Sequence, residues 1–349
     1  MGEAVAMYAL IPASLHDLTG LEPFQSEQWA RVKQYLGWKG YAFFITDEKG
    51  KELAIFLCLV RQLFPGFSLA YIPLGPLSLQ GVRLPECMES DASWLESISR
   101  QLHTYIGTAV FQIQWDLPWH TQSADIQSTA RIHVCKESTQ PTGTWVVDLR
   151  SGLEEVRKEY RKRARRHLAK NKGIVEVRPW QGNEQELLKW YDIYCKTARN
   201  DGFTHRSYGY IKAVLEECKG GDASSSLDCM LLFAYVDEKM EGGIIVLYSR
   251  YKGLYLFGGA DRTCGYSVSY SLQDSAIAEA VRRKCSCYDF YGVPSGSGNG
   301  SHLSSLLLFK QAFGGNLWER MLTVNYAARP MIYAVASFME SVRFRMHRH

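Results

Sequence analysis

The sequence predicts a mixed α/β protein built from two copies of one unit. The first observation is a hairpin that occurs twice. "YAFFITDEKGKELAIFLCLV" turns at Asp47-Glu48-Lys49-Gly50, and "CMLLFAYVDEKMEGGIIVLYS" turns at Asp237-Glu238-Lys239. Each is a pair of apolar, β-branched and aromatic runs around a short polar turn, the pattern of a strand hairpin. The second observation is that the same elements follow in the same order. An aromatic-rich strand comes next (67–73 and 253–260), then a helix (93–107 and 267–284), then a closing strand (109–116 and 287–292). Helices also precede the hairpins near 27–36 and 184–199. Two copies of a mixed unit at this long period describe a duplicated domain and not a solenoid. The length of 349 residues fits two domains.

Between the copies, "TQPTGTWVVDL" (139–149) reads as a crossover strand. "RPMIYAVASFMESVRF" reads as an amphipathic helix opened by Pro330, expected to return to the first domain. The expected division is 1–142 with 322–349 for the first domain and 143–321 for the second.

Composition is that of an ordinary globular chain, with 46% apolar and 22% charged residues. A net charge of +4 is too small to mark a nucleic-acid binder, so clustering has to decide. The nine cysteines are scattered, and only Cys285 and Cys287 are close, which offers no zinc set and suggests a reducing compartment. No apolar run approaches the ~20 residues that span a bilayer. The opening "MGEAVAMYALIPASLHDL" lacks the basic start of a signal peptide, so a cytoplasmic location is expected.

Positive charge gathers in "RKEYRKRARRHLAKNK" (157–172), where nine of sixteen residues are Arg or Lys. This reads as one helix docked by Val156, Tyr160, Ala164 and Leu168 at i, i+4 spacing. Its other faces, with Arg161, Arg165 and Arg166, suit a polyanion such as tRNA; a solvated face is the plainer alternative.

A second anomaly lies in "LSSLLLFKQAFGG" (303–315). Helical spacing puts Leu303, Leu306, Leu307, Lys310 and Phe313 on one face, with an ammonium inside an apolar stripe. A buried, unpaired charge is costly. Lys310 therefore snorkels to water, pairs with a buried acid, or faces a substrate cleft where the ligand supplies negative charge.

At this point the chain resembles the FemABX family, transferases that move amino acids from aminoacyl-tRNA onto peptidoglycan precursors. The resemblance rests on "FQSEQWARVKQYLGWK" (24–39), "YIPLGP" (71–76), the strand–basic helix–strand segment from Gln140 to Val177, and "YDFYGVP" followed by "LFKQAFGG". It implies two tandem GNAT-like domains. The short stretch "KGGDASSSLD" (219–228) leaves no room for the helical-hairpin arm of some members, so the chain resembles the armless ones. Leu74 and Phe257 depart from residues common in the family at those places.

The resemblance implies roles for single residues. Lys33 and the pair Arg206 and Tyr210 would bind the diphosphate of the acceptor, UDP-MurNAc-pentapeptide or lipid II. Tyr255 would line the same groove, and Asp116 matches an aspartate read here as structural before catalytic. Phe309 would stack on the terminal adenine of the tRNA, and Lys310 would stabilise the oxyanion. The amino acid moved would be Gly, Ala or Ser. An aminoacyl ester is already activated, so no protein nucleophile, cofactor or metal is required.

Two other classes remain. "RTCGYS" (262–267) loosely fits the pyrophosphate loop of an acyl-CoA-dependent GNAT enzyme, and a helix-entry turn is the plainer reading. A non-catalytic protein bound to RNA or a membrane surface is the other. The run "RFRMHRH" (343–349) reads as a solvated end, with transient contact to the inner-membrane surface or to RNA as the alternative. "GVPSGSGNGS" (292–301) reads as a mobile connection to the helix bearing Lys310.

Overall fold

The computed structural model describes residues 8–80, 82, 84, 92–121, 126–135, 138–220, 227–293 and 301–347; the side chains of 301–305 and 340–347 lie outside that description. The Gly/Ser-rich run falls outside it between 294 and 300, as does 221–226 of the stretch "KGGDASSSLD" (219–228). The chain divides into two compact units: Met1–Thr19, Phe24–Gln140 and Arg320–His349 in one, Gly20–Pro23 and Pro141–Glu319 in the other.

The first unit opens with β1 (Tyr8–Ala13), whose alternation buries Tyr8 and Leu10. Helix α1 (Glu27–Gln34) starts at Ser26, whose hydroxyl accepts the Trp29 amide, and it buries Trp29, Ala30 and Val32. Strands β2 (Lys39–Asp47) and β3 (Glu52–Phe64) form the first hairpin. Its turn is built by Asp47, whose Oδ1 accepts the amides of Lys49 and Lys51, both at 2.9 Å. A short turn leads to β4 (Phe67–Ile72), then to β5 (Leu77–Ser78). Between these two strands Leu74 is left-handed at φ 51°. Helix α2 (Ala92–Ile106) buries Trp94, Leu95, Ile98 and Leu102, the inner stripe expected of its spacing. β6 (Val110–Trp115) and β7 (Ile132–Val134) follow.

The second unit begins at β8 (Gly143–Asp148). The basic segment that the sequence suggests as one helix is two: α3 (Leu153–Lys158) and α4 (Lys162–Asn171). Arg161 is extended at φ −69°, ψ 161°, and its amide donates to the Ala312 carbonyl at 2.9 Å. An unbroken helix would have used that amide internally, so the long-range bond breaks it. The docking stripe survives the break: Val156, Tyr160 and Ala164 are buried and Leu168 is half-buried. Next come β9 (Glu176–Pro179), α5 (Glu184–Asp201) and α6 (Tyr208–Glu217). The second hairpin joins β10 (Leu227–Val236) to β11 (Lys239–Ser249) through Asp237 and Glu238, both left-handed at φ 49° and 60°. Two such residues make the turn that matches strand twist. β12 (Lys252–Ala260), α7 (Val268–Arg282), β13 (Cys287–Val293), α8 (Ser301–Gln311) and β14 (Asn316–Glu319) complete the unit.

The chain then returns to the first unit as β15 (Val324–Ala327) and α9 (Pro330–His347). The first sheet has the order β1-β2-β3-β4-β6-β15-β7, with β5 on β3; the second is β14-β8-β13-β12-β11-β10-β9. The two are built alike. In each, the closing strand runs parallel to the aromatic strand (β4 with β6, β12 with β13) and antiparallel to a strand from the connecting chain. β15 serves β6 as β8 serves β13.

Helix α5 lies close on its sheet because glycines admit it. A Cβ on Gly259 would come 2.7 Å from Tyr194 Cα and 3.1 Å from its amide nitrogen. Backbone cannot yield as a side chain can. Gly259→Ala is therefore expected to lower the stability of the second unit by about 1–3 kcal/mol, the usual cost of overpacking. Urea unfolding followed by tryptophan fluorescence checks this, and an unchanged midpoint would contradict it.

Candidate active site

The two sheets differ at their parallel pair. In the first unit β4 and β6 are joined from Ser68 to Ile72, nearly their whole length. In the second, β12 and β13 pair only from Lys252 to Leu254, opposite Cys287 to Asp289, and then separate. The second sheet is open beyond Leu254, and Tyr255 is the first residue past the last pair.

At the same level β13 carries an extra residue against β8. Asp289 faces Val146 and Gly292 faces Thr144, so three steps on one strand meet two on the other, which is a β-bulge. Tyr291 takes a left-handed conformation at φ 57°. The side chain of Asp289 holds it there: Oδ1 accepts the Tyr291 amide at 2.7 Å and also the hydroxyl of Thr144. Gly292 is needed beside it, since a Cβ would come 2.7 Å from Pro141 Cγ.

Two carbonyls at the bulge, where β12 no longer pairs with β13, meet Lys310. Its Nζ donates to Tyr291 O at 3.1 Å and Gly292 O at 2.5 Å. Lys310 is only 4% exposed, so it does not snorkel, and its hydrogen-bond partners are carbonyls and not an acid. Burial pulls its pKa down from 10.5 to about 7, while the charge of Asp289 works the other way. An ammonium has three N–H donors. Two are used here, and among the described residues no acceptor meets the third.

Asp289 also faces a second lysine. Lys252 Nζ lies 2.7 Å from Glu22 Oε2 and 3.4 Å from Asp289 Oδ2. Burial disfavours its charge, but the two carboxylates outweigh that and raise its pKa. Lys252 is thus a fixed cation and Lys310 a titrating one. Asp289, Lys252 and Glu22 were not among the sequence candidates. An acid flanked by aromatics in "CYDFYG" was the available signal for Asp289; nothing local pointed to Glu22, 230 residues from Lys252.

Helix α8 presents these groups from an aromatic stack. His167 of α4 stacks on Tyr270 at 4.5 Å, Tyr270 meets Phe309 edge-on at 5.0 Å and Phe313 at 5.6 Å, and Phe313 lies 5.3 Å from Phe290. Phe309 is half-buried beside the lysine. The stripe expected on this helix needs one correction: Leu306 is exposed, so Leu307, Lys310 and Phe313 form the inner face. Leu303 lies outside the described side chains.

The other candidates fall into separate groups. The Arg206 guanidinium lies 5.8 Å from the Tyr210 ring, is exposed, and has no acid partner among the described residues. Its backbone is fixed by two tyrosines, with its amide donating to Tyr194 OH at 3.2 Å and its carbonyl accepting from Tyr191 OH at 2.9 Å. Tyr210 is buried, edge-on to Phe257 at 6.3 Å, and burial raises its hydroxyl pKa. Tyr255 is half-buried, and burial raises its pKa too. Arg161 reaches Gln311 at 3.4 Å, Arg166 is exposed, and Arg165 lines an open groove of about 640 Å³ with Arg157, Asn171, Lys172 and Ser271.

In the first unit, Lys33 lies 4.8 Å from the Trp29 ring. Asp116 is buried and accepts from Tyr71 OH at 2.5 Å and from the Thr323 hydroxyl. Burial raises its pKa against the pull of those bonds and of Arg320. In the "RTCGYS" loop, Arg262 is paired with Asp201, the Thr263 amide donates to Asp261, and the Val268 amide donates to Tyr266 O. These groups are already engaged, which disfavours a pyrophosphate there.

Residues 233–341 match the model of the FemAB family. The matched segment is 109 of the 349 residues. The segment contains the bulge of β13, Asp289, Phe309 and Lys310. FemX is similar in structure, with 13% identity, a TM-score of 0.75, and coverage of 94% of this chain and 99% of that one. A tandem GNAT protein from the clavulanic acid biosynthesis pathway gives 11% identity, a TM-score of 0.52, and coverage of 92% and 98%. A conserved protein of unknown function from Bacteroides thetaiotaomicron VPI-5482 gives 10%, 0.51, and 91% and 98%. These likenesses show the fold, two GNAT-like domains in tandem. None of the curated proteins matches.

The depressed pKa of Lys310 predicts a pH-dependent cost. Between about 7 and 10.5 the folded chain has released this proton and the unfolded chain still holds it. Stability therefore rises with pH across that window, by up to about 1.4 kcal/mol per unit from this group. Below about 7 the penalty is full and flat. Lys310→Met lacks the term. The difference in stability between the wild type and this variant should move in favour of the wild type from pH 7 to pH 9. Urea midpoints that stay parallel would contradict it.

Proposed function

We propose that the protein is an aminoacyltransferase of peptidoglycan cross-bridge synthesis. It would move Gly, Ala or Ser from aminoacyl-tRNA to the side-chain amine of the stem-peptide diamino acid, on UDP-MurNAc-pentapeptide or lipid II. The match of residues 233–341 to the FemAB family model supports the reaction class. The observation that carries the reading is the amine of Lys310, buried on two carbonyls beside an opened sheet with one N–H unclaimed among the described residues.

The acceptor amine attacks the ester carbonyl, and negative charge develops on its oxygen. The unclaimed N–H of Lys310 donates to that oxyanion. The C–O bond to the ribose then breaks, the new amide forms, and a proton lost by the attacking amine reaches the leaving ribose oxygen. A lysine titrating near neutrality suits both the donation and the proton transfer. Phe309 would stack on the terminal adenine, and the faces of Arg161, Arg165 and Arg166 would meet phosphates of the tRNA. Arg206, with Tyr210 and Tyr255, would bind the acceptor, the guanidinium fork being suited to a diphosphate. Asp116 is assigned a structural part.

The test is transfer of labelled amino acids from bulk charged tRNA to each precursor. Ribonuclease treatment of the donor should abolish transfer, and turnover sustained by an acyl thioester would overturn the reading. Lys310→Ala should lower turnover by about 10²–10³, the worth of one oxyanion donor. Lys310→Arg should rescue poorly, because a planar fork does not occupy the place of a compact ammonium. A normal rate in Lys310→Ala would remove the residue from the chemistry.

A further inference from the structure

Glu22 is a buried carboxylate whose own needs are half met. It is 8% exposed, its Oε2 lies 2.7 Å from Lys252 Nζ, and its Oε1 has no hydrogen-bond partner among the described residues. An idle buried oxygen is costly. The chain nevertheless fixes the group in place. The Ser249 hydroxyl donates to the carbonyl of neighbouring Leu21 at 2.9 Å and accepts the Lys252 amide at 3.0 Å. One side chain thus anchors the backbone on both sides of the ion pair.

Lys252 has a second carboxylate within reach, and it stands farther off, 3.4 Å from Asp289 Oδ2. The other oxygen of Asp289 holds the left-handed Tyr291 through its amide at 2.7 Å. Such a conformation is unfavourable for a residue with a Cβ and persists only while it is held. The two acceptors of Lys310, Tyr291 O and Gly292 O, come from that held turn. A lysine drawn wholly onto Asp289 would pull its carboxylate off the Tyr291 amide. Glu22 draws the lysine the other way.

We propose that Glu22 is a positioning residue: by holding Lys252 it leaves Asp289 on the Tyr291 amide, and so keeps the two carbonyls against the Lys310 amine. Charge points the same way. Glu22 and Asp289 carry two negative charges and Lys252 one positive, so the set is neutral when Lys310 is protonated. The other titratable groups against it, Cys287 and Tyr288, are kept neutral by burial. The inference rests on Lys310 as the working group of the proposed reaction, and its test uses no substrate, so either can fail without the other.

Two variants of the full chain test it, Glu22→Gln and the double variant Glu22→Gln/Lys252→Met. Each is read by hydrogen exchange at the Tyr291 amide and by NMR titration of Lys310. In Glu22→Gln, Lys252 turns to Asp289. The Tyr291 amide should then exchange roughly tenfold faster, as for a weakened charge-assisted hydrogen bond. Lys310 should titrate below its wild-type value of about 7, because the set has lost a negative charge. Removing Lys252 as well frees Asp289 and restores the charge count, so both readings should return to wild-type values. A merely structural ion pair predicts a double variant at least as perturbed as the single one. Unchanged readings in Glu22→Gln, or no recovery in the double variant, would overturn the inference. Should Glu22→Gln fail to fold, the double variant, which loses both partners of the pair, decides: altered readings there overturn it, and wild-type readings support it.

Discussion

The second unit is arranged around the need to satisfy one buried amine. A lysine at 4% exposure requires acceptors, and a strand paired on both edges has none to spare because its carbonyls belong to the ladder. Strand β13, bulged against β8 and no longer paired with β12 past Asp289, supplies Tyr291 O and Gly292 O. The left-handed Tyr291, the glycine against Pro141 and the carboxylate of Asp289 on the Tyr291 amide all follow from that single requirement. Carbonyl dipoles hold the ammonium in place without a direct ion pair. Burial lowers its affinity for a proton enough for its charge to change near neutrality.

The same carboxylate produces opposite results at two lysines. Lys252 has Asp289 and Glu22 within ion-pair distance and stays charged. Lys310 feels Asp289 only at a distance, and burial prevails. Environments that push like groups apart in pKa are how one site separates a fixed charge from an acid–base group. The first unit, built on the same plan, has no such arrangement among its described residues. Its parallel strands stay joined, and its buried Asp116 is engaged by Tyr71 and Thr323.

The order of elements was legible because each is a local pattern. Both hairpins, both inner helices and the existence of the helix at 330–347 follow from periodicity and turn residues in the sequence itself. Lys310 was legible for the same reason, as a charge in an apolar stripe. What set its environment was not. The break at Arg161 depends on a carbonyl at Ala312, and the fixed charge of Lys252 on Glu22, contacts made only after the chain has folded. Leu306 shows the limit of a periodic argument: helix α8 has apolar residues around most of its circumference, so spacing alone did not decide which of them turn inward. The short strands β7, β14 and β15 carry too few residues to show a period, and β15 takes its place only by pairing with β6 and β7.

The central claim is that the amine of Lys310 titrates near neutrality in the folded chain. Heteronuclear NMR of lysine labelled at the side-chain carbon next to the amine reads this directly, with the Lys310 signal assigned by its loss in Lys310→Met. One lysine should titrate at about 7, and its pKa should fall further in Asp289→Asn, because that carboxylate favours the protonated form. A Lys310 signal that titrates at the ordinary value of 10.5 would contradict the account.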